Sequence, residues 1–240
     1  MGLFVMEDAN RFCKRVLSDT AGSFEVTFLE VAEPSCVVLF AVGGGGNPER
    51  HLSLLTSLAD HGCTIAAPHF ERLVSSVPTE HELLLRACRL RLALDCVTRP
   101  GIPAAGVGHS IGTTMLLALA GAQVWTRAGQ RLSVARDNRL DRLALLAPAT
   151  DFFRAPGALE GVNVPILACA GTMDEITPPA QAEFLKDAMG DKAPVEVHLV
   201  EGAGHFSFMN EPPPRTMEPL PDRDAFLARL ADRVCCFVTS

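Results

Sequence analysis

The feature that most constrains this chain is the pentapeptide Gly108-His109-Ser110-Ile111-Gly112, which joins two apolar segments. The segment before it, residues 102–107, is short and bounded by Gly and Pro, which is typical of a buried strand, whereas residues 113–120 contain strong helix formers. A sharp strand-to-helix turn at G-x-S-x-G is the context of a nucleophile elbow, with the serine hydroxyl at the tip of a strained turn. The pentapeptide also arises by chance in glycine-rich chains, but its flanks favour the elbow and make Ser110 the candidate nucleophile.

Strand and helix patterns alternate along most of the chain. A continuous apolar run predicts a strand covered on both faces at residues 36–42. Further strands are predicted at residues 63–67, 102–107, 143–147, 165–170 and 195–200. Helices are predicted after Asn47-Pro48, after Thr79, over 113–120, over 178–189 and from Asp222 onward. Glu82, three residues after Thr79, completes the pattern of a capping box.

Three segments are less regular. Phe12, Val16 and Leu17 suggest an amphipathic helix within residues 1–22, and residues 24–31 approximate the period-two pattern of a half-buried edge strand. Residues 121–141 are polar and arginine-rich, which indicates a surface connection. No repeat or domain-scale linker interrupts residues 1–240, so we expect one α/β domain with a doubly wound, mostly parallel sheet.

Ligands of such sheets bind beyond the carboxyl ends of the strands, where the unusual residues of this chain also fall. We therefore expect the four loops 43–47, 108–112, 171–178 and 202–208 to converge.

A serine hydroxyl becomes a strong nucleophile only beside a base, which a third group must orient. His205 lies in a loop at the end of a predicted strand, where Gly202 and Gly204 let the backbone fold back. It is therefore the candidate base, although it could also be an ordinary surface-loop histidine. Asp174 ends the preceding strand and is the candidate acid, with Glu175 as the alternative. Asp174 or Glu175 could instead cap the helix that follows. Asp151 is a weaker candidate acid, after an earlier strand.

A tetrahedral intermediate needs two N–H donors directed at its oxyanion. The backbone N–H of Ile111 is the first candidate, and the glycine run 43–46 should supply the second, because glycine lets the backbone approach a substrate oxygen. A glycine-rich loop before a helix could also bind phosphate, but neither the dinucleotide-binding nor the P-loop spacing is present.

Several other side chains fall on predicted strand-end loops. The candidates to line a substrate pocket are His69, Phe70, Phe152, Phe153 and Phe206, and the four phenylalanines could also serve as ordinary packing. His109 adjoins Ser110, but successive side chains at a sharp turn point apart, so we expect it to brace the elbow.

Composition limits the function classes. A net charge of −7 argues against nucleic acid as a partner, because phosphate binding requires concentrated Lys and Arg. No apolar run reaches the ~18 residues that a membrane span requires. Early acidic residues do not fit a secretory signal, and the eight cysteines show no C-x-x-C spacing, so we expect a cytoplasmic protein with buried free thiols. Neither a metal nor an organic cofactor is implied, and the oligomeric state cannot be read from the sequence.

The chain resembles the α/β-hydrolase superfamily, and within it the dienelactone-hydrolase-like and platelet-activating-factor-acetylhydrolase-like esterases. The segments that carry the resemblance are residues 42–49, 66–68, 108–112, 170–178 and 202–206. The resemblance implies Ser110 as nucleophile, Asp174 as acid, His205 as base and Gly44 as the second oxyanion donor. It departs in two places, because dienelactone hydrolases use a Cys nucleophile and the loop that usually reads His-Gly is Val42-Gly43 here.

The short connection 148–163 predicts little or no lid domain and an open pocket. The function we expect is hydrolysis of a small carboxylic ester or thioester through an acyl-enzyme on Ser110. A non-catalytic ligand receptor or scaffold of the same fold, and an acyltransferase or peptidase using the same residues, remain alternatives.

Overall fold

A sheet of eight strands forms the centre of the computed structural model, which describes residues 12–75 and 77–240. The described strands, in chain order, are β1 Phe12–Asp19, β2 Gly22–Leu29, β3 Cys36–Ala41, β4 Cys63–Pro68, β5 Ala104–His109, β6 Val124–Trp125, β7 Arg131–Leu132, β8 Leu140–Leu146, β9 Ile166–Gly171 and β10 Val195–Val200. The order across the sheet is β1-β2-β4-β3-β5-β8-β9-β10, while β6 and β7 pair as a separate hairpin.

Helices cover both faces of this sheet. The described α-helices are α1 Leu52–Asp60, α2 Glu80–Val97, α3 Ile111–Leu119, α4 Ala180–Met189 and α5 Arg223–Thr239. Helices α1 and α5 bury their apolar side chains in one core cluster, and α2, α3 and α4 bury theirs in another cluster. Among the described residues, no helix combines the length and the apolar character that crossing a membrane would require.

Six of the eight strands run parallel. Strands β4, β3, β5, β8, β9 and β10 pair in parallel, whereas β1 with β2 and β2 with β4 are antiparallel. Every residue of β3, β4, β5 and β9 is buried, which confirms the burial predicted for residues 36–42 and 102–107. The prediction of a doubly wound, mostly parallel sheet is confirmed, and the carboxyl ends of the parallel strands meet at one edge.

The prediction of an amphipathic helix around Phe12, Val16 and Leu17 is wrong. These residues form β1, which pairs with β2 along its whole length, and residues 1–11 lie outside the described part of the chain. The hairpin turns at Gly22, whose φ of 133° is open to glycine but not to most other residues. Backbone pairing with the next strand therefore overrode a spacing that also fits a helix. Strand β2 lies one strand inside the edge of the sheet.

The segment 121–141 is also more than a surface connection. It contains the β6–β7 hairpin, and Val124 and Leu132 are fully buried in the core beside α3. Polar composition concealed the hairpin because its strands have only two residues each.

The elbow requires close contact between α3 and the sheet. A Cβ atom at Gly112 would lie 2.0 Å from the carbonyl oxygen of Ala41, so only glycine allows the first turn of α3 to rest on β3. Gly108 is similarly enclosed, with Ala41 O at 3.1 Å and the Leu116 side chain at 2.8 Å from a Cβ built there.

We therefore expect Gly112→Ala to destabilise the fold by roughly 1–3 kcal/mol or more, since the obstructing atom is backbone and cannot move aside cheaply. Chemical denaturation monitored by circular dichroism measures the change. The control is Gly45→Ala, because a Cβ there meets nothing within 4 Å and the backbone lies outside the left-handed region. Equal stability of the two variants would contradict the packing argument.

Candidate active site

Ser110 occupies the turn between β5 and α3. Its φ of 54° and ψ of −128° are strained for a residue other than glycine, which is the conformation expected of a nucleophile elbow. The turn is held by hydrogen bonds from Ser110 N to Leu146 O at 3.0 Å and from the Thr113 hydroxyl to Ser110 O at 2.6 Å. These contacts and the buried α3 offset the strain and leave the hydroxyl beside a cavity.

The three residues predicted to cooperate are joined through His205, which lies within hydrogen-bond distance of both Ser110 and Asp174. His205 Nε2 is 3.0 Å from Ser110 Oγ, and His205 Nδ1 is 2.8 Å from Asp174 Oδ2. A carboxylate only accepts, so Nδ1 carries the proton and Nε2 is left to accept the serine proton. The structure thus brings together side chains from the ends of β5 and β9 and from the loop after β10.

Asp174 is almost fully buried, and its carboxylate is fully hydrogen-bonded. The N–H groups of Ile176 and Thr177 donate to Oδ1 at 2.8 Å each, and the Thr177 hydroxyl donates to Oδ2 at 2.8 Å. Burial alone would raise the pKa of Asp174. The hydrogen bond and charge of His205, together with Thr177, outweigh burial and hold the pKa below its usual value.

Neither of the alternative acids reaches His205. Glu175 is exposed to solvent, although it adjoins Asp174 in sequence. Asp151 instead pairs with Arg154 at 3.1 Å. Asp174 does not cap α4, whose N-cap position is Pro179, but it does organise the tight turn that precedes that helix.

The two predicted oxyanion donors, Gly44 and Ile111, line the same cavity as Ser110. Ile111 is the first residue of α3, so its N–H has no acceptor within the helix. Among the described residues, the N–H of Gly44 also donates to no acceptor. Both amides are therefore able to bind a substrate oxygen.

The cavity beside Ser110 has a volume of about 510 Å³. Its walls come from the loop after β4, the β6–β7 hairpin, the segment after β8 and the turn after β9. They are largely apolar and include Leu73, Val77, Trp125, Phe152, Ala155 and Ile176. Arg127, Asp151, Arg154 and Gln181 add polar groups to the lining.

Of the five side chains predicted to line the pocket, only Phe152 does so. His69 instead bonds Thr27 Oγ1 at 2.8 Å, and Phe153 is buried in the core. Phe70 packs beneath the Arg86 guanidinium, while Phe206 lies edge-on against the His205 ring.

Sequence reasoning missed the cavity wall that the β6–β7 hairpin contributes. Trp125, the only tryptophan in the chain, lies in this wall. A single large aromatic residue within a polar segment could have indicated a buried or ligand-lining position. The loop after β4 carried no such signal, because its apolar residues have no periodic pattern.

The fold is shared with solved structures of low sequence identity. An α/β serine hydrolase homologue from Coxiella burnetii aligns over 98% of this chain and 99% of its own, with 16% identity and a TM-score of 0.63. Esterase 2 from Thermogutta terrifontis aligns over 97% and 96%, with 14% identity and a TM-score of 0.66. The mouse α/β-hydrolase domain-containing protein 10 aligns over 94% and 99%, with 13% identity and a TM-score of 0.60.

These likenesses establish that the chain has the α/β-hydrolase fold, which confirms the fold that the motifs predicted. Comparisons with family models and with the sequences of curated proteins give no match. The resemblance to dienelactone-hydrolase-like esterases stays a prediction.

Three buried histidine rings, those of His51, His109 and His205, form a column. The ring of His109 lies 4.8 Å from that of His205 and 5.1 Å from that of His51, measured between centroids. His109 Nε2 donates to the backbone oxygen of His205 at 2.9 Å, and His51 Nδ1 donates to Phe208 O at 3.1 Å. His109 thus braces the loop that carries His205 as well as adjoining the elbow.

Burial lowers the pKa of both supporting histidines. The pKa of His51 falls to about 4, and that of His109 falls well below its usual value. Both rings are therefore neutral at physiological pH, so neither places a positive charge beside His205.

Because the folded-state pKa of His51 lies below the usual 6.5, the unfolded chain binds its proton first as pH falls, and stability is lost between these two values. Lowering the pH from about 7.5 to about 5 should cost about 2 kcal/mol through His51 alone. His51→Gln keeps a donor for Phe208 O but removes this titration. Urea unfolding at the two pH values should show a smaller loss of unfolding free energy in the variant than in wild type, and equal losses would refute the assignment.

Proposed function

We propose that this chain is a serine hydrolase that cleaves a small carboxylic ester or thioester through an acyl-enzyme on Ser110. The observation that carries the proposal is the hydrogen-bonded relay from Ser110 Oγ through both nitrogens of His205 to Asp174, set at a strained elbow. Structural relatives described as a serine hydrolase homologue and as esterases support the same reaction class.

In the acylation half-reaction, His205 Nε2 takes the proton of Ser110 Oγ while the oxygen attacks the substrate carbonyl carbon. The buried Asp174 carboxylate stabilises the imidazolium and holds its Nδ1–H in place. The carbonyl oxygen becomes an oxyanion, which receives the N–H groups of Gly44 and Ile111. The intermediate collapses when His205 Nε2–H protonates the departing alcohol or thiol.

Deacylation repeats these steps with water as the nucleophile. Water enters through the cavity and His205 removes its proton, while the same two N–H groups bind the second oxyanion. Collapse releases the carboxylic acid and returns the proton to Ser110. The nucleophile of acylation, the base, the acid and both oxyanion donors of this scheme are all supplied by residues of this chain.

The cavity lining favours an apolar substrate group. Leu73, Trp125, Phe152 and Ile176 surround the space next to Ser110, where an alkyl or aryl chain would replace ordered water. We expect the enzyme to act in the cytoplasm on small molecules. An acyltransferase or peptidase would use the same residues, so substrate profiles discriminate between them.

A fluorophosphonate probe tests the nucleophile directly, since Ser110 Oγ displaces fluoride at phosphorus and forms a stable covalent bond. We expect wild type to be labelled and Ser110→Ala to remain unlabelled, with ester turnover reduced by about 10⁴-fold or more. Ser207→Ala is the control, because that buried serine lies beside the glycine before His205 rather than at the elbow. Absence of labelling in folded wild type would favour a non-catalytic receptor.

The substrate class is tested with p-nitrophenyl esters of increasing acyl length. We expect kcat/KM to rise about fourfold per methylene until the cavity is filled, because burying a CH₂ contributes about 0.8 kcal/mol. In Phe152→Ala the increase of kcat/KM with acyl length should be smaller than in wild type. In Leu199→Ala it should be unchanged, because Leu199 is exposed on β10 and does not line the cavity. Turnover of aminoacyl amides in preference to every ester would instead identify a peptidase.

A further inference from the structure

Arg86 of α2 is a buried cation, and the charge of Glu82, one turn earlier on the same helix, acts on it without a direct ion pair. Only 3% of its surface is exposed, and among the described residues no carboxylate lies within ion-pair distance of its guanidinium. Burial lowers its pKa to about 10, which still leaves it protonated at neutral pH. A buried charge is costly unless it is fully hydrogen-bonded, so its contacts should explain its position.

The guanidinium donates only to backbone carbonyls. Nη1 lies 3.4 Å from Val42 O and 3.3 Å from Gly43 O, and Nη2 lies 3.2 Å from Glu71 O. Its plane also covers the Phe70 ring, with Cζ 4.6 Å from the ring centroid. One side chain thus ties the glycine run after β3 to the loop after β4.

These two loops also bond each other directly. Leu73 N donates to Gly44 O at 2.8 Å, and Phe70 N donates to Gly46 O at 2.9 Å. Gly46 has a φ of 79°, and a Cβ there would lie 1.9 Å from Phe70 O, so the loops fit with no space between them. The backbone of the glycine run is therefore fixed by hydrogen bonds and close packing, although its composition alone would make it flexible.

The carbonyl of Gly43 and the N–H of Gly44 belong to one planar trans peptide, so they point in opposite directions. Arg86 and the N–H of Gly46, the latter at 3.1 Å, both bind the carbonyl of Gly43. The N–H of Gly44 therefore points away from α2, and Gly44 lines the cavity beside Ser110. We propose that Arg86 is a positioning residue that aims the N–H of Gly44 at the substrate oxyanion, an inference that rests on the proposed function.

The charge of Arg86 contributes in addition to its geometry. A cation at the carbonyl oxygen draws electron density from the peptide and strengthens its N–H as a donor. The effect grows as negative charge develops on the substrate oxygen, so it favours the transition state over the bound ester. Lysine retains the charge but has no planar fork to reach carbonyls from two loops.

The test measures oxyanion binding separately from folding. The probe is a trifluoromethyl ketone that carries an alkyl chain. Ser110 Oγ adds to its carbonyl carbon, the serine proton passes to His205, and the carbonyl oxygen becomes an oxyanion between the N–H groups of Gly44 and Ile111. In Arg86→Met we expect kcat to fall roughly 10–100-fold with KM little changed, and the inhibitor constant to rise by the same factor. The kcat and the inhibitor constant of Arg86→Lys should lie between those of Arg86→Met and wild type. The pH profile of kcat/KM should keep its shape in both variants.

Arg89 supplies a matched control on the same helix. It is also buried, and its Cζ lies 4.7 Å above the Phe24 ring, but it pairs with Asp19 at 2.7 Å and does not contact the glycine run. Arg89→Met should lower the melting temperature while the folded protein retains its kcat and inhibitor constant.

The outcomes separate this inference from the function on which it rests. If wild type is neither labelled by fluorophosphonate nor active on any ester, the proposed function fails. If wild type is active while both Arg86 variants keep its kcat and inhibitor constant, only the role of Arg86 is refuted. If the Arg86 variants have a lower melting temperature but unchanged kcat and inhibitor constant, Arg86 has a purely structural role and the proposal is refuted. If Arg86→Met does not fold, Arg86→Lys supplies the same two readouts.

Discussion

The strained backbone of Ser110 is the constraint on which the arrangement of this site depends. A serine at φ 54° costs of order 1–3 kcal/mol, and the turn persists only because its surroundings hold it. Those surroundings are β5 and α3, both buried along their lengths, with Gly112 pressed against the Ala41 carbonyl. The hydroxyl is presented at the sheet edge because the strand and helix on either side cannot move.

Around this turn, polar groups are buried in an otherwise apolar interior and find most of their hydrogen-bond partners there, while among the described residues His109 Nδ1 and His51 Nε2 have none. Asp174 is held by backbone amides, Thr177 and His205, while His109 braces the His205 loop from behind. Neutral His51 and His109 complete this support without adding charge. The hydrogen-bonded His205 and Asp174 therefore lie in a pre-organised environment, which in the proposed reaction would lower the reorganisation required when charge develops.

The substrate side of the site is built differently. The cavity walls come from the loop after β4 and from the β6–β7 hairpin, which lie outside the central sheet. The glycine run 43–46 lies between the central sheet and these peripheral walls. Gly44 lines the cavity, while Arg86 and the loop after β4 form hydrogen bonds with the carbonyl oxygens of the run. Differences in these peripheral segments would alter the substrate while leaving the relay intact.

The sequence by itself determined the sheet, its parallel strands and the elbow, because these follow from local apolar patterns and from the glycines at residues 108 and 112. It also singled out Ser110, Asp174 and His205, since strand-end positions converge in any such sheet. Only the tertiary structure decided that β1 is a strand, that Glu175 faces solvent, and that Trp125 rather than Phe70 or Phe153 lines the cavity. The physical reason is that these features depend on contacts with other parts of the chain. Strand pairing, side-chain direction and the position of a buried charge such as Arg86 are set by those contacts, which no local pattern encodes.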